Sequence, residues 1–182
     1  KLSKENGLEF NESHIVVGIG VKELLFHAFL ATLNEGDEVL IPAPCWVSYA
    51  DQIKAAGGQP VFVPWLNKDG QKNIDLEIVE RMSSDKTAAI VLNSPNNPGG
   101  FIYSQDELKA IGEYLAAKSW WVFSDEIYEY LNFEGGHTSL LNVEPRLKDR
   151  FLLFNGLSKN FAMTGWRVGY VAAPIEAANL IR

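Results

Sequence analysis

Four side chains in two short segments could act together on one bound molecule. The segment SDEIYEYL contains Asp125 and Tyr128, and the segment NGLSKNFAMTGWRVGY contains Lys159 and Arg167. An amine can form an imine with an aldehyde, and a guanidinium fork pairs well with a phosphate. A carboxylate and a phenol add a charge and a hydrogen-bonding group. The four residue types therefore indicate a site for a phosphorylated aldehyde.

Taken singly, each of these residues has a simpler interpretation. An isolated lysine is more often a solvated surface residue, and an arginine among many carboxylates can form an ordinary ion pair. The acidic pair Asp125 and Glu126 could cap a strand end or bind a metal ion. The setting favours the site, because Asp125 closes the apolar run WWVFSD and Lys159 follows the apolar run FLLFNG.

Two further segments could complete this site. The segment NSPNNPGG places the amides of Asn96 and Asn97 after a β-branched apolar run, where open α/β sheets bind their ligands. In isolation the same segment predicts only an Asn-Pro turn. Residues 18–22, GIGVK, form a predicted strand-to-helix turn whose first amides would favour an anion.

The elements that must position these residues follow from the apolar pattern. Continuous apolar runs predict strands buried on both faces, and therefore a mostly parallel sheet of about seven strands covered by helices. The predicted strands are residues 15–17, 39–41, 60–65, 88–92, 120–123, 151–154 and 167–172. The predicted helices are residues 21–33, 46–56, 75–82 and 104–118, the last opening on a capping box of Ser104 and Glu107.

Composition narrows the class of protein. The 182 residues, 47% of them apolar, predict one domain with a large core. A net charge of −7 argues against nucleic acid as a partner. The single Cys45 cannot form an internal disulfide, and no apolar run approaches the ~18 residues of a membrane span, so a cytoplasmic protein with no membrane partner is expected. The charged start and the helix-like end predict a piece excised from a longer polypeptide.

The chain resembles the large domain of a class I, fold-type I aminotransferase of the aspartate aminotransferase group, which uses pyridoxal 5'-phosphate. The motif S-K-x-F-A-M-T-G-W-R-x-G-Y is matched at residues 158–170, and D-E-x-Y is matched at residues 125–128. The resemblance runs through about residues 7–174. It implies an α/β fold, a three-layer αβα sandwich whose seven-stranded sheet contains one antiparallel strand.

The resemblance also implies catalytic roles for three residues. Lys159 would form the imine with the cofactor aldehyde and later move the substrate proton. Asp125 would keep the pyridine nitrogen protonated, so that the ring withdraws electrons. Tyr128, with Asn97, would bind the phenolic oxygen of the cofactor.

Binding roles are implied in the same way. The phosphate would be held by main-chain amides at the helix start and by Arg167, with a weaker contribution from Ser158. Trp46 would stack on the ring, although a lone tryptophan is more often core, and Asn97 would also contact the substrate carboxylate. The implied cofactor-binding set is Gly20, Val21, Lys22, Trp46, Asn97, Asp125, Tyr128, Ser158, Lys159 and Arg167, of which Asn97 and Trp46 also bind substrate.

The sequence departs from the family pattern at two glycines. Gly99 replaces the threonine of N-P-T-G, which predicts a more flexible loop, and Gly156 stands where some relatives have a phosphate-binding serine. No metal site is predicted, because His14, His27 and His137 lack ligand spacing and are expected to be structural or surface residues.

The resemblance implies that residues 1–182 form the cofactor-binding large domain. A C-terminal small domain and an N-terminal segment that complete the substrate site would lie outside this chain, which alone is expected to be inactive. The full-length protein would be a homodimer that passes an amino group from an amino acid, with aspartate preferred, to a 2-keto acid. The alternatives are an aromatic or other class I aminotransferase, a C–S β-lyase, and a non-catalytic pyridoxal-binding regulatory module.

Overall fold

A central seven-stranded sheet organises the chain. The computed structural model describes residues 1–68, 71–133 and 135–182, and of residues 66–68 and 71–73 only the backbone is described. The strands of the sheet are β1 (Ile15–Gly18), β2 (Glu38–Ala43), β3 (Gln59–Pro64), β6 (Thr87–Asn93), β7 (Trp121–Asp125), β8 (Phe151–Gly156) and β9 (Gly169–Ala172). A separate antiparallel pair is formed by β4 (Leu66–Lys68) and β5 (Gln71–Asn73).

The strand order is β1-β9-β8-β7-β6-β2-β3. Strand β9 runs antiparallel to both of its neighbours, β1 and β8, and the other neighbouring pairs are parallel. The predicted mostly parallel sheet with one antiparallel strand is therefore confirmed. The interior strand β8 is buried along its whole length, which explains its continuous apolar sequence.

Helices cover both faces of the sheet and complete three layers. On one face, α2 (Val21–Thr32), α3 (Ser48–Ala55) and α8 (Ile175–Ile181) pack against the strands, with Phe29 and Ile53 fully buried. On the other face, α4 (Leu76–Met82), α5 (Gln105–Ala116) and α6 (Leu140–Val143) do so, with Ile111 and Leu140 buried. Two short helices complete the list: α1 (Leu2–Glu5) precedes β1 in the sequence, and α7 (Leu157–Asn160) directly follows β8. The predicted three-layer αβα sandwich is confirmed.

Local sequence signals define several helix ends as expected. Ser104 and Glu107 form the predicted capping box at the start of α5, and the side chain of Asp75 caps α4. The longest helices of the described residues, α2 and α5, have 12 residues each, and none is long and apolar enough to cross a membrane.

The carboxyl ends of the parallel strands meet at one edge, and β9 begins at that same edge. There Gly18, Gly169 and Gly156 lie in register across β1, β9 and β8. A Cβ on Gly169 would lie 2.6 Å from the backbone nitrogen of Val21, and one on Gly156 would lie 2.8 Å from the carbonyl oxygen of Val168. Glycine is required here because backbone packs directly on backbone. This close approach brings the start of α2 next to the segment that precedes β9.

Two element starts and one hairpin near the candidate site or in the sheet connections differ from the sequence prediction. Residues 167–172 were expected to form one strand, but β9 begins only at Gly169, because Arg167 has a φ of 51° that no strand allows. The helix expected at residues 46–56 begins at Ser48, which leaves Trp46 in the preceding loop. The β4–β5 hairpin was not predicted.

Candidate active site

A cavity of about 310 Å³ opens at the carboxyl edge of the sheet. Its walls come from the β1–α2 turn, from the segments that follow β2, β6, β7 and β8, and from the segment before β9. The lining residues are Val21, Lys22, Trp46, Asn93, Asn97, Asp125, Ile127, Tyr128, Ser158, Lys159, Thr164 and Arg167. The structure thus brings together, around one cavity, every predicted site residue except Gly20, which adjoins Arg167.

Asp125 is the buried acid of this cavity. It is the last residue of β7 and is only 3% exposed. Its Oδ2 accepts a hydrogen bond from the Tyr49 hydroxyl at 2.6 Å, and its Oδ1 accepts one from the Ile127 amide at 3.2 Å. Burial raises the pKa of Asp125 to about 6, because these two hydrogen bonds lower it by less and the charge of Glu126 adds a further increase. A cationic N–H placed in the cavity would relieve this cost.

Asn97 and Tyr128 form a polar pair in the wall of the cavity. The Asn97 side-chain amide donates to the Tyr128 hydroxyl at 3.2 Å, and the Asn97 backbone amide donates to Oδ1 of Asn93 at 2.8 Å. Burial and then the charge of Asp125 raise the pKa of Tyr128, while the Asn97 hydrogen bond lowers it. The phenol of Tyr128 is therefore a neutral donor at neutral pH, and the hydrogen bond from Asn97 fixes its position.

Lys159 lies on α7, directly after the end of β8. The neighbouring Asn160 fixes this short helix, because its side-chain amide donates to Oδ1 of Asn155 at 3.0 Å. Lys159 itself is exposed, and so is much of the segment after it, with Phe161 at 52% and Trp166 at 70% exposure. Two of the large apolar side chains of this segment therefore lie on the surface rather than in the core.

The start of α2 forms the cationic end of the cavity. Arg167 donates from Nη2 to the Ile19 carbonyl at 3.3 Å and from Nη1 to the Thr164 carbonyl at 3.0 Å. A Cβ on Gly20, whose φ is 84°, would lie 2.5 Å from Nη2 of Arg167, so only glycine admits the guanidinium here. Together with Lys22, two cations adjoin the positive end of a 12-residue helix, an arrangement that attracts an anion.

Trp46 forms a wall of the cavity beside Asp125. Its ring is half-buried and contacts the ring of Tyr49 edge to face, with 5.3 Å between the ring centroids. The ammonium of Lys22 lies 5.6 Å from the ring centroid of Trp46. The indole is therefore available on one side to a planar ligand.

A family model described as aminotransferase class I and II matches residues 1–182. The chain belongs to this family. It is 43% identical over 175 residues to the aspartate aminotransferase of Geobacillus stearothermophilus, and the alignment covers 96% of this chain and 44% of that protein. It is 45% identical over 182 residues to a probable aspartate/prephenate aminotransferase of Aquifex aeolicus, and this alignment covers 100% of this chain and 46% of that protein.

Solved structures give the same relationship. An aspartate aminotransferase from Thermus thermophilus with maleate matches with a TM-score of 0.93 at 40% identity, over 100% of this chain and 46% of that one. An aromatic aminotransferase from Pyrococcus horikoshii matches with a TM-score of 0.94 at 36% identity, over 100% of this chain and 48% of that one. The chain thus spans about half the length of the relatives it matches.

The two glycine departures from the aminotransferase pattern have steric explanations. A Cβ on Gly99 would lie 2.2 Å from the ring of Phe101, so the missing threonine makes room for that ring. The loop is closed by hydrogen bonds from the Gly99 and Gly100 amides to Asn96, at 2.9 and 2.8 Å. At Gly156 a serine would meet the backbone of β9, and the nearby hydroxyl that lines the cavity is that of Ser158.

Sequence reasoning missed four residues of this candidate site. Asn93, Ile127 and Thr164 line the cavity, and Tyr49 supports Asp125 from behind. Asn93, Ile127 and Thr164 lie within the quoted motifs, so their positions in the sequence could have predicted that they line the site. Tyr49 lies 76 residues from its partner, and nothing local indicates that contact.

Metal ligation has no support among the residues that the structure describes. They contain no group of three or more histidine, cysteine, aspartate or glutamate side chains that could hold a metal ion. His14 contacts Asn11, and His27 is exposed on α2. His137 is buried against Glu126, at 2.7 Å, a partner that the sequence did not predict.

Proposed function

We propose that the chain is the pyridoxal-phosphate-binding large domain of an aminotransferase that transfers an amino group from an amino acid to a 2-keto acid. The observation that carries this proposal is the cavity itself. It contains a buried carboxylate, Asp125, and an amine, Lys159, and it ends at a cationic helix start beside Arg167. Membership of the aminotransferase family supports the same conclusion.

The donor set fits this cofactor at each of its polar groups. The two cations and the amides at the start of α2 suit a phosphate dianion. The buried carboxylate of Asp125 suits a protonated ring nitrogen, and the Tyr128 and Asn97 pair suits a phenolate oxygen. Trp46 offers a flat apolar wall for an aromatic ring.

When bound, pyridoxal phosphate would supply an aldehyde for covalent attachment of the amino group and a ring that accepts electrons from the substrate α-carbon. Lys159 would bind that aldehyde through its Nζ and, once released, carry a proton to and from the α-carbon. Asp125 would hold the proton on the ring nitrogen, because burial raises the pKa of its carboxyl and pairing with a cation would stabilise the anion. Tyr128 and Asn97 would donate hydrogen bonds to the ring oxygen, and Arg167 would orient the phosphate.

Aspartate is the preferred amino donor, since relatives at 43–45% identity include proteins named aspartate and aspartate/prephenate aminotransferases. The structural match to an enzyme named aromatic aminotransferase keeps an aromatic donor as a second candidate. Asn97 and Trp46 would contact the substrate beside the cofactor. The whole protein would act as a homodimer, and the substrate site would be completed outside this chain.

The cofactor site is tested by absorption spectroscopy of the chain with pyridoxal phosphate. We expect a shifted cofactor band in the wild-type chain that is lost in Lys159→Ala, because the covalent bond needs Nζ of Lys159. Lys109→Ala, at an exposed position on α5, is the matched control and should keep the band. Borohydride reduction followed by peptide mass mapping should place the pyridoxyl group on Lys159, and a label elsewhere would contradict the assignment.

The reaction is tested with the full-length polypeptide, supplied with aspartate and a 2-keto acid acceptor. An aminotransferase should give a new keto acid and a new amino acid in equal amounts. A C–S β-lyase would instead release a thiol from a cysteine conjugate, and a regulatory module would give neither product.

A further inference from the structure

Asp125 and its neighbour Glu126 point to opposite sides of the sheet. Asp125 faces Tyr49 on α3, whereas Glu126 accepts a hydrogen bond from Ser139, the residue before α6, on the other side. Glu126 is 2% exposed, so two adjacent carboxylates are both buried. The proposed cofactor site uses the first of them and leaves the second without a role.

Glu126 is surrounded by donors on its own side of the sheet. Oε1 accepts hydrogen bonds from the hydroxyls of Ser124 at 2.8 Å and Ser139 at 2.7 Å, and Oε2 lies 2.7 Å from Nε2 of His137. The side chains of Glu126 and His137 are only 3% and 7% exposed. A buried carboxylate is stable when it is paired with a cation and fully hydrogen-bonded, as it is here.

The charges around His137 favour its protonated form. Burial lowers the pKa of His137, but the hydrogen bond and charge of Glu126 and the charge of Glu129 raise it by more, while the charge of Lys1 lowers it. The net direction is upward, so the site favours the imidazolium more than water does. Among the described residues these are the charged groups that act on it.

The pair closes a loop that carries part of the candidate site. Residues 127–136 connect Glu126 to His137 and include Tyr128, which lines the cavity, and the 3₁₀ helix Glu129–Leu131. The Glu126 backbone amide donates to the Phe154 carbonyl on β8 at 2.9 Å. Contacts at the base of this loop therefore fix both the end of β7 and the place from which Tyr128 projects.

A small cavity of about 10 Å³ adjoins the pair and is lined by Tyr103 and His137 among others. Nδ1 of His137 and the hydroxyl of Tyr103 are buried there, and neither has a protein partner in the described parts of the chain. The cavity has room for one water, which could accept from Nδ1–H and contact Tyr103. A protonated imidazole would then be satisfied at both nitrogens.

We propose that Glu126 and His137 form a buried ion pair that closes the loop carrying Tyr128 and fixes the end of β7, so that both are positioning residues for Asp125 and Tyr128. The importance of the pair for cofactor binding rests on the proposed function, whereas the pair itself does not. Loss of the imidazolium would loosen the base of the loop and misplace two groups of the cofactor site.

The ion pair is tested without cofactor by NMR titration of the imidazole of His137, one of only three histidines. Glu126→Gln removes the carboxylate charge and should move the His137 midpoint to lower pH. Glu113→Gln, at an exposed position on α5, is the matched control and should leave it unchanged. An unchanged midpoint in Glu126→Gln would overturn the ion pair.

Positioning is tested by pyridoxal phosphate affinity across pH. We expect His137→Gln to raise the dissociation constant at least about fivefold at pH ~6, a typical coupling between two sites, and His27→Gln to leave it unchanged. The pKa of His137 is raised in the folded chain, so its contribution to binding should be complete below the ordinary histidine pKa. That contribution should be lost as the pH rises through the pKa of His137 in the folded chain. The difference in dissociation constant between wild type and His137→Gln should therefore shrink towards pH ~9. Equal affinity in wild type and His137→Gln, or a gap that does not vary with pH, would overturn the positioning role. No binding by the wild type would instead count against the proposed function, and the NMR titration would still decide the pair.

Discussion

Asp125 shows how one buried side chain can be costly alone and useful with a ligand. In the chain without a ligand, its carboxylate is stabilised by the Tyr49 hydroxyl and the Ile127 amide, yet its pKa still lies near 6. Two neutral donors therefore do not replace the water that burial removes. The site is arranged to gain free energy when a cation arrives, which links stability to the proposed binding of a protonated ring.

This cost predicts how Asp125→Asn changes stability with pH. The pKa of Asp125 in the folded chain is raised above the ordinary value of about 3.9. Its favourable contribution to the free energy of unfolding is therefore complete below pH ~4 and is lost as the pH rises through about 6. The variant without cofactor should therefore gain in free energy of unfolding relative to wild type between pH ~4 and ~8, by at most about 3 kcal/mol. Urea denaturation at several pH values measures this gap.

The same substitution should weaken pyridoxal phosphate binding, because an amide cannot pair with a protonated ring nitrogen as a carboxylate does. Asp85→Asn changes the same side-chain type at an exposed turn and serves as the control. A stability gap for Asp125→Asn that stays constant across the pH range would show that the carboxylate is not strained by burial.

At the scale of residues, the sequence predicted the groups of the site better than their supports. Lys159, Asp125 and Arg167 stand in motifs, and the structure gathers them around one cavity. Tyr49 and His137 hold Asp125 and Glu126 through contacts that depend on how helices pack on the sheet. No local pattern encodes such contacts, and the assigned roles of the motif residues remain proposals.

At the scale of elements, the site depends on glycines that let strands and α2 approach closely. Gly169→Ala should destabilise the chain by about 1–3 kcal/mol, because its Cβ would lie 2.6 Å from the Val21 amide nitrogen and neither backbone can easily move. The shift of α2 should also weaken pyridoxal phosphate binding at the helix start. Thermal and urea unfolding measure the first effect, and a spectroscopic titration measures the second.

Gly165→Ala is the matched control, since a Cβ there meets no atom within 4 Å. It should change stability and binding little. Equal losses in the two variants would point to a general effect of replacing a glycine in residues 165–169, and would remove the role given to close packing.

Element types were predictable because burial on both faces leaves continuous apolar runs, as in β8, and because Ser104 and Glu107 mark the start of α5 locally. The start of β9 was not predictable. Arg167 leaves the strand region because its guanidinium reaches the carbonyl of Ile19, a residue 148 positions away. The sequence between them carries no sign of that reach.

At the scale of the whole molecule, some of the exposed apolar surface lies beside the candidate site. Ile19, which is 62% exposed, lines a groove between α2 and α3 together with Phe26 and Arg167. Val47, which is 79% exposed, directly precedes the groove residue Ser48. An exposed apolar patch with polar residues at its rim is typical of a surface that binds another protein. Because the groove and the cavity share Lys22 and Arg167, the proposed homodimer would place its interface beside the proposed phosphate site.

Self-association of the chain should therefore depend on this groove. The double variant Ile19→Ser, Val47→Ser should associate more weakly than wild type in sedimentation velocity over a range of concentrations, because it removes two apolar side chains from the interface. Leu180→Ser changes an equally exposed leucine on α8, which packs near the opposite end of α2, and should behave as wild type.

With a net charge of −7 on each chain, added salt should strengthen wild-type association by screening the repulsion between copies. If wild type and the double variant are monomeric to the same degree at every concentration and salt level, the groove is not the surface through which two copies of this chain meet.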